Sequence, residues 1–287
     1  MPRLELSAGP IDYRIVGPAD GAPVLFVHGF LVDGRLWSDV PDRLAEHGFR
    51  CLVPTWPLGA HTAPMSADAD LSPAGVARIV VEFLDAFELT DATLVGNDTG
   101  GAICQLAVNE RAERIGGLVL TNCDAFEVFP PFPFNLLFRL GRHPRLARLA
   151  LGAVRWQSVR HSPLGYGLLT RRPMPAELTL GWVEPYLTSA EIRRDVAAFA
   201  RGWSPRGLVE ASARMAEFDR PALLAWGPED RLFRIDLGRR LASTLPRAHL
   251  VEIRDALTFV PQDQPARLAE VIAQFLSAQA TVHPPSP

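Results

Sequence analysis

Short apolar runs alternate with amphipathic stretches along most of this 287-residue chain. Residues 3–8 and 11–16, joined at Ala8-Gly9-Pro10, predict an opening hairpin. Further strands are expected at 23–27, 49–55, 92–95, 116–121, 221–226 and 249–253. Helical spacing fills the gaps at 36–47, 72–87, 99–110, 236–245 and 265–276. In the second of these, Val76, Ile79, Val80, Phe83, Leu84 and Phe87 form one stripe behind Ser72 as cap and Pro73 at the first helical position. Strands alternating with helices predict an α/β fold with a mostly parallel central sheet flanked by helices.

The rhythm breaks between residues 124 and 216. The segment Phe129-Pro130-Pro131-Phe132-Pro133-Phe134 opens a stretch of short amphipathic helices without a strand, set between two sheet strands. This divides the chain into a core of 1–123 and 217–280 and a helical lid of 124–216 over the carboxyl edge of the sheet, where open α/β sheets bind ligands. Residues 281–287 have little to bury and are expected to be a disordered tail.

Composition narrows the chemistry. A net charge of −3 predicts no affinity for nucleic acid or anionic membrane, and no apolar run reaches the length of a membrane span. Cys51, Cys104 and Cys123 lie apart without metal spacing, and with no signal peptide they fit a cytoplasmic protein holding reduced cysteines. All 29 basic residues are arginine, so Schiff-base and Lys-base chemistry are excluded. No metal or organic cofactor is expected. The expected partner is a small hydrophobic substrate, and a homodimer stays open.

The most informative motif is Gly96-Asn97-Asp98-Thr99-Gly100-Gly101 at the junction of a buried strand and a helix. A strand ending in G-x-nucleophile-x-G and turning into a helix lifts the nucleophile above the sheet. Here that residue is Asp98. A carboxylate attacks carbon already deprotonated, so its first step needs no base. The plainer alternative is a strand-end Asp capping the next helix.

With Phe26-Val27-His28-Gly29-Phe30, the Gly96–Gly101 turn, the helical insertion, Trp226-Gly227-Pro228-Glu229-Asp230 and Phe259-Val260-Pro261-Gln262-Asp263-Gln264-Pro265 in this order, the chain resembles the α/β-hydrolase fold over nearly all its length. The Asp at the elbow resembles the haloalkane dehalogenase and epoxide hydrolase branch. The resemblance implies Asp98 as nucleophile, backbone N–H groups of Phe30 and Thr99 as the oxyanion hole, and Asp230 as acid, with Asp124 as the other candidate. His28, Tyr166 and Tyr186 are expected around the substrate pocket, His28 mainly holding its loop and the tyrosines in the lid.

The chain departs from this pattern at Thr258, where the family carries its catalytic His. An Asp enzyme without that base could form an alkyl ester and then stall. His61, on the loop after the fourth strand, or His161, in the lid, could replace the base. The leading expectation is hydrolysis of an epoxide-, ester- or halide-like substrate. The alternatives are a lyase, isomerase or cyclase using Asp98 as acid or base, and a catalytically silent ligand-binding protein. The Trp that usually follows the nucleophile is Thr99 here, which removes one halide donor.

Overall fold

In a computed structural model, which describes residues 1–143 and 152–282, eight strands form one sheet. They are β1 (Arg3–Leu6), β2 (Gly9–Val16), β3 (Pro23–Val27), β4 (Arg50–Pro54), β5 (Ala92–Asp98), β6 (Ile115–Cys123), β7 (Ala222–Trp226) and β8 (Ala248–Glu252). Their order is β1-β2-β4-β3-β5-β6-β7-β8. The first two strands pair antiparallel at one edge, and the other six run parallel.

The pleat explains why β3 and β5 read as continuous apolar runs. Leu25, Val27 and Leu94 pack on one face with Val76, Val80 and Phe83 of α2 (Pro73–Ala86). Val24, Phe26 and Val95 pack on the other with Trp37, Leu44 and the last helix, through Leu268 and Ile272. A sheet covered on both faces must be apolar at every position, and each such side chain contributes about 1.5–3 kcal/mol of burial. Ser72 caps α2 as expected, accepting a hydrogen bond from the Gly75 N–H at 3.1 Å.

Two expected helices differ in extent. The stretch 36–47 is split into a 3-10 turn at Gly34–Trp37 and α1 (Val40–Glu46). Ser38 takes φ +52° between them, and Pro41, with no N–H, fits only a first turn. The last helix spans Pro265–Val282 rather than stopping at 276. Ala278, Gln279 and Ala280 prolong it through intrinsic helix preference without an apolar stripe to announce it. Of the expected disordered tail, Thr281 and Val282 are helical, and residues 283–287 lie outside the described residues.

Between β6 and β7 the regular elements of the described residues are helices joined by turns and loops, apart from one bridge, Ala125 to Val128. The main helices are Phe134–Gly141, Ala176–Thr188, Ala190–Gly202 and Pro205–Arg214. They roof the carboxyl edge of the sheet. Phe30, on the loop after β3, lies 4.5 Å from Phe138 and 5.7 Å from Phe199 between ring centres. Trp182 Nε1 donates to Asp33 at 3.1 Å, and the Phe259 N–H donates to the Leu169 carbonyl at 2.8 Å.

Candidate active site

Asp98 is the last residue of β5 and precedes the helix α3 (Thr99–Arg111). Its backbone takes φ +54° and ψ −131°, a conformation that L residues adopt only at a cost of about 1–3 kcal/mol. The glycines around it are there because the chain crowds. A Cβ on Gly100 would lie 2.0 Å from the Val27 carbonyl oxygen, and one on Gly29 would lie 2.1 Å from Asp98 Oδ2. Gly29 therefore lets the Phe30 N–H reach that same oxygen at 3.2 Å. The Thr99 N–H also supports the carboxylate. The two backbone donors expected for an oxyanion hole are both aimed at the Asp98 carboxylate.

The carboxylate opens into a cavity of about 90 Å³. Phe30, Leu31, Phe134, Phe138, Val183 and Phe233 supply much of its apolar wall. The exposure of Asp98 is to this apolar space, so desolvation dominates and pushes its pKa up to about 6, against the pull of the Thr99 and Phe30 N–H groups. Asp230 and Asp98 repel each other, which adds to the rise.

Thr258 stands where an imidazole was expected, fully buried, and donates its hydroxyl to Asp230 Oδ2 at 2.9 Å. The Thr258 carbonyl accepts from Asn97 Nδ2 at 2.7 Å, which ties this loop to the elbow. Asp230 Oδ2 also accepts from Asn122 Nδ2 at 2.9 Å, and Oδ1 from the Leu232 N–H at 2.8 Å. Even with these donors, burial pushes Asp230 up to about 6. Asp124, fully buried, accepts the Thr99 hydroxyl at 3.0 Å through Oδ2 and leaves Oδ1 without a partner. Burial and the nearby Asp98 charge raise Asp124 well above the usual carboxylate range. The carboxyl group of Asp98 thus clusters with two buried ones, and among the described residues no basic side chain hydrogen-bonds to any of the three.

The histidines are elsewhere. His61 does not line the cavity. Its Nε2 lies 3.2 Å from Asp195 Oδ2, and its Nδ1 accepts from the Gly59 N–H at 3.3 Å. His28 Nε2 accepts from the Trp56 N–H at 2.8 Å and its Nδ1 faces the Gly29 carbonyl at 2.9 Å. Burial lowers His28 to about 4, so it is a neutral clasp between the loops after β3 and β4. His161 Nε2 lies 3.2 Å from the Thr179 hydroxyl, and His161 too is absent from the wall. Among the described residues, no histidine lines the cavity that holds Asp98.

The two tyrosines of the helical insertion are separated. Tyr166 lines the cavity and donates its hydroxyl to the Leu31 carbonyl at 2.6 Å. Tyr186 is buried beside Ile192 and Val196 but does not line the cavity, so no tyrosine pair is assembled over Asp98.

Sequence reasoning passed over Asn97, Asn122 and Arg160. The two asparagines sit at the carboxyl ends of strands that are otherwise apolar, which was their available signal. Arg160 lines the cavity and is held by the carbonyls of Val154 and Arg155 at 3.0 and 2.7 Å; nothing in its local sequence marked it. Among the described residues, no group of three or more His, Cys, Asp or Glu is placed to hold a metal ion.

Known proteins place this geometry in a family. The model of the alpha/beta hydrolase fold matches residues 22–261. A cis-3-alkyl-4-alkyloxetan-2-one decarboxylase of Xanthomonas campestris is 30% identical, over 96% of this chain and 95% of its own. Haloalkane dehalogenase 2 of Mycobacterium tuberculosis is 27% identical, over 93% and 92%. In fold, the crystal structure of an ancestral haloalkane dehalogenase superposes with a TM-score of 0.78 at 22% identity, covering 97% of this chain and 99% of its own. The chain belongs to the α/β-hydrolase fold family.

Proposed function

We propose that this chain is an enzyme in which Asp98 attacks an apolar electrophile, and that the ester it forms is resolved without an activated water. The observation that carries this reading is Thr258 hydrogen-bonded to Asp230 in a site where no described histidine lines the cavity. Ester hydrolysis needs a base to deprotonate water, and a threonine hydroxyl is not one. The attack itself needs none.

A strained β-lactone is the substrate class that fits. Asp98 attacks C4 of the ring, the C4–O1 bond breaks, and its electron pair stays on the carboxylate thus released. The bond from C3 to that carboxylate then breaks, and its electrons form the C3=C4 double bond. Carbon dioxide leaves, and the C4–O bond to Asp98 breaks, returning the aspartate. No proton and no water is consumed. The similarity to the oxetan-2-one decarboxylase supports this class, and Arg160 on the cavity wall supplies positive charge for a carboxylate released from the ring.

Incubation with a cis-3,4-dialkyl-oxetan-2-one tests the reading. The expected products are alkene and carbon dioxide at catalytic turnover, abolished in Asp98→Asn. Release of a hydroxy acid containing solvent oxygen, with no alkene, overturns it. The similarity to haloalkane dehalogenases and the retained Asp230 favour one second reading, hydrolysis through the same aspartate. Intact-protein mass spectrometry with a haloalkane and epoxide panel separates the two: turnover of either class supports hydrolysis. Failure of every panel to modify or be consumed, with retained ligand binding, makes the protein a silent binder.

A further inference from the structure

We infer that the outer face of the helical insertion is a docking surface for an anionic lipid membrane, placed around the mouth of the substrate cavity. The whole-chain charge of −3 conceals a strong segregation. Between Glu127 and Glu177 the sequence carries eight arginines and no aspartate or glutamate, leaving −11 on the remainder.

The apolar surface is segregated in the same way. Apart from Met1, the exposed large apolar side chains of the described residues are Phe132, Leu136, Leu140, Trp156, Leu164 and Leu180, all within the insertion. Phe132, Trp156 and Leu164 are 72%, 55% and 67% exposed. Scattered exposed leucines are ordinary; a set confined to one segment marks an interaction surface.

Their position ties them to the cavity. The helix Phe134–Gly141 turns Phe134 and Phe138 into the cavity while Leu136 and Leu140, four residues apart, face outward. Both faces of one wall helix are therefore apolar. Phe132 follows Pro130 and Pro131 of the cavity wall, and Leu164 belongs to that wall while remaining largely exposed, so it borders the opening.

The exposed arginines of this stretch carry little carboxylate compensation, although Arg142 also donates to the carbonyls of Ala200 and Trp203 at 3.4 Å. Arg139, Arg142, Arg155 and Arg172 are exposed and, among the described residues, form no ion pair with a carboxylate. Among the described arginines of this stretch, Arg171 pairs with a carboxylate, that of Asp255 at 3.2 Å. Arg155 lies over the Trp156 ring at 4.6 Å, an arrangement that suits the boundary between headgroups and acyl chains. Uncompensated arginines beside exposed aromatic and aliphatic side chains are the two ingredients of interfacial membrane binding. Docked this way, the protein would take an apolar substrate from the bilayer directly. The inference does not depend on what Asp98 does to that substrate.

The experiment is sedimentation of the full chain with phosphatidylcholine vesicles with and without phosphatidylglycerol. Binding is expected only with the anionic lipid and is expected to fall with added salt. Replacing Arg139 and Arg155 together by Ser should lower the partition about 25-fold, at about fivefold for each arginine near the surface. Phe132→Ser with Leu136→Ser should weaken it as well, with circular dichroism unchanged in both double variants. Equal partition to neutral vesicles, or none to either, overturns the inference. So does a dimer in sedimentation velocity that Phe132→Ser with Leu136→Ser disrupts, because the patch would then receive a second copy of the chain.

Discussion

If Asp98 acts as an ionised nucleophile in an apolar cavity, the reaction must report the ionisation of that one carboxyl group. Burial raises it to about 6, from an ordinary value of 3.8. With a midpoint near 6, the ionised fraction is about 0.9 at pH 7 and about 0.1 at pH 5. The second-order rate constant kcat/KM, which follows the free enzyme, should therefore fall about tenfold across that interval. An unperturbed aspartate would lose only about 6%. The assay is β-lactone consumption at subsaturating concentration, read from pH 4.5 to 8. Asp230 titrates in the same range, so the profile must also be taken on Asp230→Asn. Removing its like charge should move the midpoint to lower pH, because that charge contributes to the rise at Asp98. A flat profile between pH 5 and 7, or a midpoint near 4 in the unmodified protein, would refute the argument that desolvation in this cavity governs Asp98.

The same shift has a consequence for stability. A carboxyl group whose folded pKa lies above its unfolded value penalises the native state progressively as pH rises from the unfolded value to the folded one; the penalty is absent below the first and complete above the second. For Asp98 it is on the order of 3 kcal/mol above pH 7. Asp98→Asn should therefore raise the melting temperature by several degrees at pH 8 and by little at pH 3.5, while abolishing turnover; an equal gain at both pH values would contradict the linkage. Gly29→Ala should cost at least about 100-fold in kcat/KM, because its Cβ would collide with Asp98 Oδ2 and displace the Phe30 N–H; near-normal activity would show that this donor is dispensable. Thr258→His restores an imidazole beside Asp230 and should introduce hydrolysis, detected as heavy oxygen from labelled water in the product. Identical incorporation by the unmodified protein would show that Thr258 does not set the outcome. Asn122→Ala removes side-chain bonds to the Gly227 N–H at 2.6 Å and to Asp230 at 2.9 Å, and unfolding in denaturant should show a loss of about 2–4 kcal/mol.

The sheet and its helices were legible because their signals are local. Period-2 and period-3.6 patterns are written in consecutive residues, and the elbow sits where a buried strand meets glycines that only a crowded turn requires. The helix boundaries that differed are places where the apolar stripe ends before the helix does, as after Leu276, or where a proline interrupts it, as at Pro41. The site was legible in part. Motif position pointed to Asp98, Asp230 and Thr258, and the fold brings Thr258 and Asp230 into contact. What could not be read were distances between segments far apart in the chain. His61 reads as a loop histidine free to face the pocket until Asp195, 134 residues away, is seen bonded to it. Tyr166 and Tyr186 share a segment but not a cavity, because the insertion has no periodicity that fixes which helix turns which face inward.

The retained Asp230 is informative because of what surrounds it. An acid that orients an imidazole is stabilised as an anion by the imidazolium it helps to form. With Thr258 in that place, no basic side chain among the described residues hydrogen-bonds to Asp230, and burial pushes its pKa up to about 6. Asp124 is likewise raised, by burial and the nearby Asp98 charge, with one carboxyl oxygen unpartnered. Each added negative charge in this cluster is therefore resisted by the others, and the one carboxylate that opens to substrate is Asp98. In the proposed reaction, attack by Asp98 forms an ester and passes the negative charge to the carboxylate released from the ring, so the cluster favours the ester at Asp98 over its free anion. That same preference slows any later step that must regenerate the carboxylate unless the step is strongly downhill. Loss of carbon dioxide from an opened lactone is such a step, since it releases a gas and forms a double bond, whereas water without a base offers no comparable drive. The charge balance of the buried carboxyl groups and the missing imidazole thus point to the same class of reaction.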